Sequence, residues 1–134
     1  MAEDDDILET NAAYYRAFAT ADFAAMSRLW AHDQVSCVHP GWPVLIGRAA
    51  VLKSWQDILG NPGTESIEFH EATAIMSGDE GRVLCIEVFG PMVFAASNWF
   101  RRVDGVWRMI HHHASPIALT PDRGEDEERP SRLN

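Results

Sequence analysis

The stretch from Ser97 to Ser115 constrains the fold more than any other part of the chain. It reads as a strand, an Asp104-Gly105 turn, and a second strand that ends in His111, His112 and His113. Asp-Gly accepts the positive φ angles of a two-residue hairpin loop, so the two strands should be antiparallel neighbours. Alternation along a strand then predicts that His111 and His113 share a face with Trp107 and Met109, while His112 points the other way. Two imidazoles on the apolar side of a sheet would each need a partner or a task, because a buried polar group is costly without one.

The rest of the chain supplies what covers such a sheet. Residues 6–20 read as an amphipathic helix, with Ile7, Leu8, Asn11, Tyr14, Tyr15 and Phe18 recurring at three- and four-residue steps. A second helix opens at Asp22, a good N-cap, and runs through Trp30. Short strands are expected at 35–39 and 44–46, and a third helix over about 48–59, ended by Asn61-Pro62-Gly63. Four strand-like runs follow, near 65–77, 81–90, 92–103 and 106–114, separated by Gly-containing turns. Helices first and adjacent strands afterwards imply an α+β domain whose sheet is covered by helices on one face. A sheet that long must bend, and a bent sheet under helices encloses a cone-shaped hollow, a common kind of small-molecule site.

Composition narrows the function. A length of 134 residues suits a single core, and no apolar run is long enough to span a bilayer. The formal charge of −9 repels phosphate backbones and anionic membrane surfaces, so neither nucleic acid nor membrane is an expected partner. The start, Met1 to Asp6, is acidic, unlike a signal or transit peptide, so a cytoplasmic location is expected. Part of the charge lies between Asp122 and Glu128, which divides the chain into a folded domain at 1–118 and an acidic, flexible tail at 119–134. Cys37 and Cys85, the two cysteines present, read as buried thiols.

Several phrases point further: Ala21-Asp22-Phe23, His39-Pro40-Gly41-Trp42-Pro43 with Gly47-Arg48 after it, and the strand from Trp107 to Ser115. Together with the order of elements over residues 6–117, they resemble the NTF2-like superfamily in its SnoaL-like and ketosteroid-isomerase-like branch. The last strand is also similar to the end of the association domain of calmodulin-dependent kinase II. The resemblance implies a cone of three N-terminal helices on a strongly curved mixed or antiparallel sheet of about five to six strands. It also implies a homodimer formed through the sheet, with Trp99, Phe89 and Met92 as candidates for that face.

The comparison with ketosteroid isomerase is residue by residue. That reaction uses a carboxylate base, with a tyrosine and a protonated aspartic acid as oxyanion hole. The tyrosine position corresponds to Tyr14, eight residues before Asp22. The base position, before a proline, corresponds to His39. The protonated acid corresponds to Asn98 in Asn98-Trp99-Phe100-Arg101. A histidine can serve as general base, and an asparagine can donate a hydrogen bond. Tyr14, His39 and Asn98 are therefore the candidate catalytic set. Trp42, Trp30, Trp55, Glu87, Phe100, His111 and His113 are candidate ligand contacts. Glu87 in mid-strand shares a face with Val83, Cys85 and Phe89, where burial would raise its pKa; the alternative is that this face is partly exposed or that Glu87 pairs with an arginine across the sheet. His39, His111, His113 and Glu87 could in principle hold zinc, but no second short-spaced ligand pair supports this, and neither metal nor cofactor is expected. The functional expectation is a cofactor-independent isomerase, cyclase or dehydratase-type site for an apolar, carbonyl-bearing small molecule. The alternative is a non-catalytic homodimeric binding or assembly module.

Overall fold

A computed structural model describes residues 2–118; the tail expected at 119–134 lies outside the described residues. Three helices, α1 (Ala2–Ala19), α2 (Phe23–Leu29) and α3 (Arg48–Gly60), cover one six-stranded sheet. Its strands are β1 (Ser36–Val38), β2 (Leu45–Ile46), β3 (Ile67–Ser77), β4 (Glu80–Phe89), β5 (Met92–Val103) and β6 (Val106–Pro116). The sheet order is β2-β1-β6-β5-β4-β3. All pairings are antiparallel except β1 on β6, so the sheet is mixed; it is also curved and does not close. No described helix is long and apolar enough to cross a membrane.

Local chemistry explains most of these elements. Asp22 caps α2 by accepting the amide of Ala25 at 3.0 Å. Asp104 and Gly105 both take positive φ, 53° and 79°, and join β5 to β6 as the expected two-residue loop between Val103 and Val106. The helical stripes read from the sequence are the buried ones: Ile7, Asn11, Tyr14 and Tyr15 on α1, and Val51, Trp55 and Leu59 on α3. Cys37 and Cys85 are free, buried thiols. Burial raises Cys37 to about 12 and Cys85 to about 11.

The histidine strand departs from its expected alternation. Trp99 pairs with His111, but Phe100 pairs with Met109, so Ile110 is an extra residue on β6. Such a bulge shifts the side-chain parity beyond it. Trp107 and Met109 face the core before the bulge; His112 and Ala114 face it afterwards. The expectation that His111 and His113 enter the core is therefore corrected: His113 is exposed, and half-buried His111 bonds through Nδ1 to Ser36 Oγ at 2.7 Å. A second bulge in β3, between His70 and Thr73, places Glu71 at a φ of 59°.

Candidate functional site

Between the helices and one end of the concave face lies an apolar hollow of about 470 Å³. Phe18 of α1, Ile58 of α3, Phe89 of β4, Met92 and Phe94 of β5 and Trp42 of the β1–β2 connection form its apolar wall. Trp42 stands at the rim, 40% exposed, with its ring 5.0 Å from that of His39. Three titratable side chains interrupt this wall, namely His39, Glu87 and His112, each less than 5% exposed.

His39 follows β1, where Pro40 and Gly41 end the strand. Its Nε2 lies 2.9 Å from Ser54 Oγ. The Ser54 hydroxyl donates its one proton to the Val51 carbonyl at 2.6 Å, so it must accept from His39. His39 therefore carries its proton on Nε2, held against α3 and flanked by the edge of Trp55 at 4.9 Å. Burial lowers its pKa to about 4, so the ring is neutral near pH 7.

Glu87 is buried at mid-β4, and its Oε2 accepts from the Tyr15 hydroxyl at 2.6 Å. Burial raises its pKa and the Tyr15 bond partly offsets this. His112 lies across from it, Nε2 to Oε2 at 3.9 Å, beyond hydrogen-bond reach. Burial holds the His112 pKa well below that of free imidazole, and neighbouring His39, His111 and His113 push it in the same direction. Asn98 sits behind this pair. Its carbonyl contacts His112 Nδ1 at 2.6 Å, while its amide reaches Asn11 Oδ1 at 2.9 Å and the Tyr15 hydroxyl at 3.1 Å.

The residues singled out from sequence divide into two groups. His39, Glu87 and Trp42 line the hollow. Asn98 is fully buried behind the lining and acts on it through His112 and Tyr15. Tyr14 is fully buried as well, packed on Trp55 and His112, and its hydroxyl has no hydrogen-bond partner among the described residues. Its neighbour Tyr15 makes the bonds to Glu87 and Asn98. Tyr14, His39 and Asn98 thus do not converge on one point. Trp30, Trp55 and Phe100 are core residues outside the lining, and His111 and His113 lie on the other face of the sheet. Phe89 and Met92, expected on the pairing face, belong to the hollow, whereas Trp99 faces outward beneath Arg82, whose guanidinium carbon is 5.1 Å from the ring centroid. Among the described residues, no three histidine, cysteine or acidic side chains are placed so that they could hold one metal ion.

His112 and Tyr15 are the residues that reading the sequence passed over. A signal for His112 was present: the apolar positions Trp107 and Met109 are odd-numbered, whereas Ala114 is even-numbered, and a parity change within one strand marks a bulge.

Comparison with known proteins agrees with this architecture. The SnoaL-like domain family matches residues 7–120. A candidate dehydratase of the NTF2-like family from Streptomyces avermitilis is 36% identical, superposes with a TM-score of 0.78, and shares 88% of this chain and 98% of its own. A candidate calcium/calmodulin-dependent protein kinase type II association domain from Thiobacillus denitrificans is 32% identical, with a TM-score of 0.74 over 81% of this chain and 93% of its own. A ketosteroid isomerase-like protein from Erwinia carotovora, at 20% identity and a TM-score of 0.72 over 87% of this chain and 98% of its own, shares the fold. The Arabidopsis thaliana F-box protein SKIP8 is 27% identical over 118 residues, which are 84% of this chain and 50% of that protein, so the chain spans about half the length of this curated relative. With its three helices on a curved mixed sheet and a family match over most of its length, the chain belongs to the SnoaL-like domain family of the NTF2-like fold.

Proposed function

We propose that the hollow binds a small, largely apolar molecule bearing a carbonyl or hydroxyl group and exchanges protons with it. The observation that carries this reading is the opening of His39, Glu87 and His112 onto an otherwise apolar hollow of about 470 Å³. A site of this size, apolar with a few polar groups, suits a small ligand. Burial moves the Glu87 carboxyl upward, toward the range where it can give and take protons, and keeps both imidazoles neutral, so that they can accept a hydrogen bond from the ligand. Isomerisation, cyclisation and dehydration all need such groups and no redox cofactor. Similarity to a candidate dehydratase at 36% identity supports this class. Two free thiols support a cytoplasmic location.

Solvent-deuterium incorporation into the α-carbon of a bulky ketone that also carries a hydroxyl, such as 6-hydroxy-2-tetralone, followed by NMR, tests the reading without knowledge of the natural substrate. The protein should accelerate exchange above buffer containing equimolar imidazole, and Glu87→Gln or His39→Ala should each lower the rate at least tenfold. Exchange no faster than in the imidazole control, across a panel of such ketones, would contradict it.

One observation favours a second reading, as an assembly module. The sheet face away from the helices carries Ile75 and Leu84, exposed, with Ile86, Val88 and Trp99 half-buried beside them. Apolar surface of this kind suits pairing with a second copy of the chain. Light scattering of the protein and of Leu84→Glu would test it. A dimer lost on substitution supports pairing through this face, and a monomer in both cases contradicts it.

A further inference from the structure

Glu87 and His112 each meet the hollow with an atom that the rest of the protein leaves unused. Glu87 uses Oε2 on Tyr15, and its Oε1 takes no hydrogen bond among the described residues. His112 uses Nδ1 on Asn98, and its Nε2 has no partner within hydrogen-bond distance among them. Counting protons around the circuit fixes which of these groups donate. The Tyr15 hydroxyl has one proton and gives it to Glu87, so it must accept from Asn98. That places the Asn98 amide group on Tyr15 and Asn11 and turns its carbonyl to His112 Nδ1. A carbonyl oxygen only accepts, so His112 is protonated on Nδ1, and a neutral ring protonated there is bare on Nε2.

We propose that Asn98 is a positioning residue that holds His112 in its Nδ1–H tautomer, so that the hollow presents an acceptor nitrogen beside the Glu87 carboxyl and selects an uncharged ligand with a hydroxyl group. This rests on the small-molecule reading of the hollow. A hydroxyl can donate to Nε2, and its oxygen can accept from Glu87 Oε1 when the carboxyl holds a proton. An anion would be desolvated in a hollow whose lining holds no lysine or arginine to balance it. A ligand with no donor would leave Nε2 desolvated and unpaired. Burial together with His39, 6.1 Å away between ring centroids, His111 and His113 disfavours a charge on the ring, whereas Glu87, 3.9 Å away, favours one whenever its carboxyl is ionised.

The tautomer is read directly on the ¹⁵N-labelled full chain at pH 7.5 from long-range ¹H–¹⁵N correlations of the histidine rings. The Nδ1–H pattern for His112 is expected, and the Nε2–H pattern would overturn the proposal. In Asn98→Asp the acceptor is kept and charged, so the His112 titration should move up by at least one pH unit. An unchanged titration in folded protein would overturn the positioning role; if this variant fails to fold, the wild-type tautomer still decides. Selectivity is read with three probes: 2-naphthol should bind at least tenfold more tightly than 2-methoxynaphthalene, and 2-naphthoate should bind least. Equal binding of the alcohol and its ether would overturn the selection claim. Failure of all three probes to bind, with His112 in the expected tautomer, would instead count against the small-molecule reading of the hollow.

Discussion

The concave face of the sheet has two ends that differ sharply, and β6 runs through both. Before the bulge, Trp107 and Met109 pack with Trp30 and Phe100 into a core. After it, His112 looks across at Glu87 and the packing gives way to a hollow. One end is filled with hydrocarbon, while the other holds a circuit of hydrogen bonds behind an open space. A core made only for stability would be filled at both ends, because protein interiors pack to crystal density. The unfilled, polar end is where this domain departs from the demands of folding, and such departures mark functional sites.

Shifting β6 beyond the bulge breaks the contrast most directly. Insertion of one alanine between Ile110 and His111 moves every later residue of the strand on by one position, which turns His112 away from Asn98 and drives His111 and His113 inward. It should cost about 4 kcal/mol or more, because it orphans the buried Asn98 and misplaces the histidines together. Urea unfolding showing a cooperative transition near the wild-type midpoint would mean that this register does not set the face.

Truncation at the two ends sharpens the same contrast. Phe100→Ala, fully buried at the packed end, should cost about 3–5 kcal/mol. Phe94→Ala, on the wall of the hollow, should cost clearly less, about 1–2 kcal/mol, since its ring already lacks neighbours on one side. Equal losses in denaturant would show that the hollow is packed in solution.

The titratable groups give the open end a pH signature of two signs. His39 and His112 have lowered folded-state pKa values, so the stability they contribute is complete above about 6.5 and is lost as pH falls; for His39 the loss runs down to about 4. For His39 this amounts to roughly 3 kcal/mol. Glu87 has the opposite sense. Its pKa is raised, so its contribution is present below about 4.5 and lost as pH rises through the folded value. Glu87→Gln should therefore gain stability over wild type at pH 8 and little at pH 4. Parallel unfolding curves for the two proteins across pH would remove the evidence that Glu87 titrates in an apolar setting. The smallest effect is expected at the rim, where Trp42→Ala should shift stability by under about 1 kcal/mol while weakening probe binding several-fold.

Much of this could be read from the sequence, and the rest had definite physical reasons for being hidden. Helical periodicity in α1 and α3, the Asp22 cap and the Asp104-Gly105 loop are local signals, and each lies where its chemistry puts it. His39 was found through its resemblance to a catalytic position before a proline, Trp42 through its Pro-Gly loop and Glu87 through strand alternation. His112 was hidden because the bulge at Ile110 involves no glycine and leaves only a parity change between Met109 and Ala114. Tyr15 was hidden because it adjoins Tyr14 on the same buried helix face, and only tertiary packing decides which hydroxyl reaches the sheet's polar groups. Hydrogen bonds that close over 70 to 90 residues of sequence leave no local pattern.

The most direct test of the open end as a ligand site is a crystal structure of the protein soaked with 2-naphthol. The account predicts the two rings held among Trp42, Phe89 and Phe94, with the hydroxyl oxygen within 3.2 Å of His112 Nε2 or Glu87 Oε1, the usual hydrogen-bond limit. A hollow filled by its own side chains, or a probe seated only elsewhere on the surface, would contradict it.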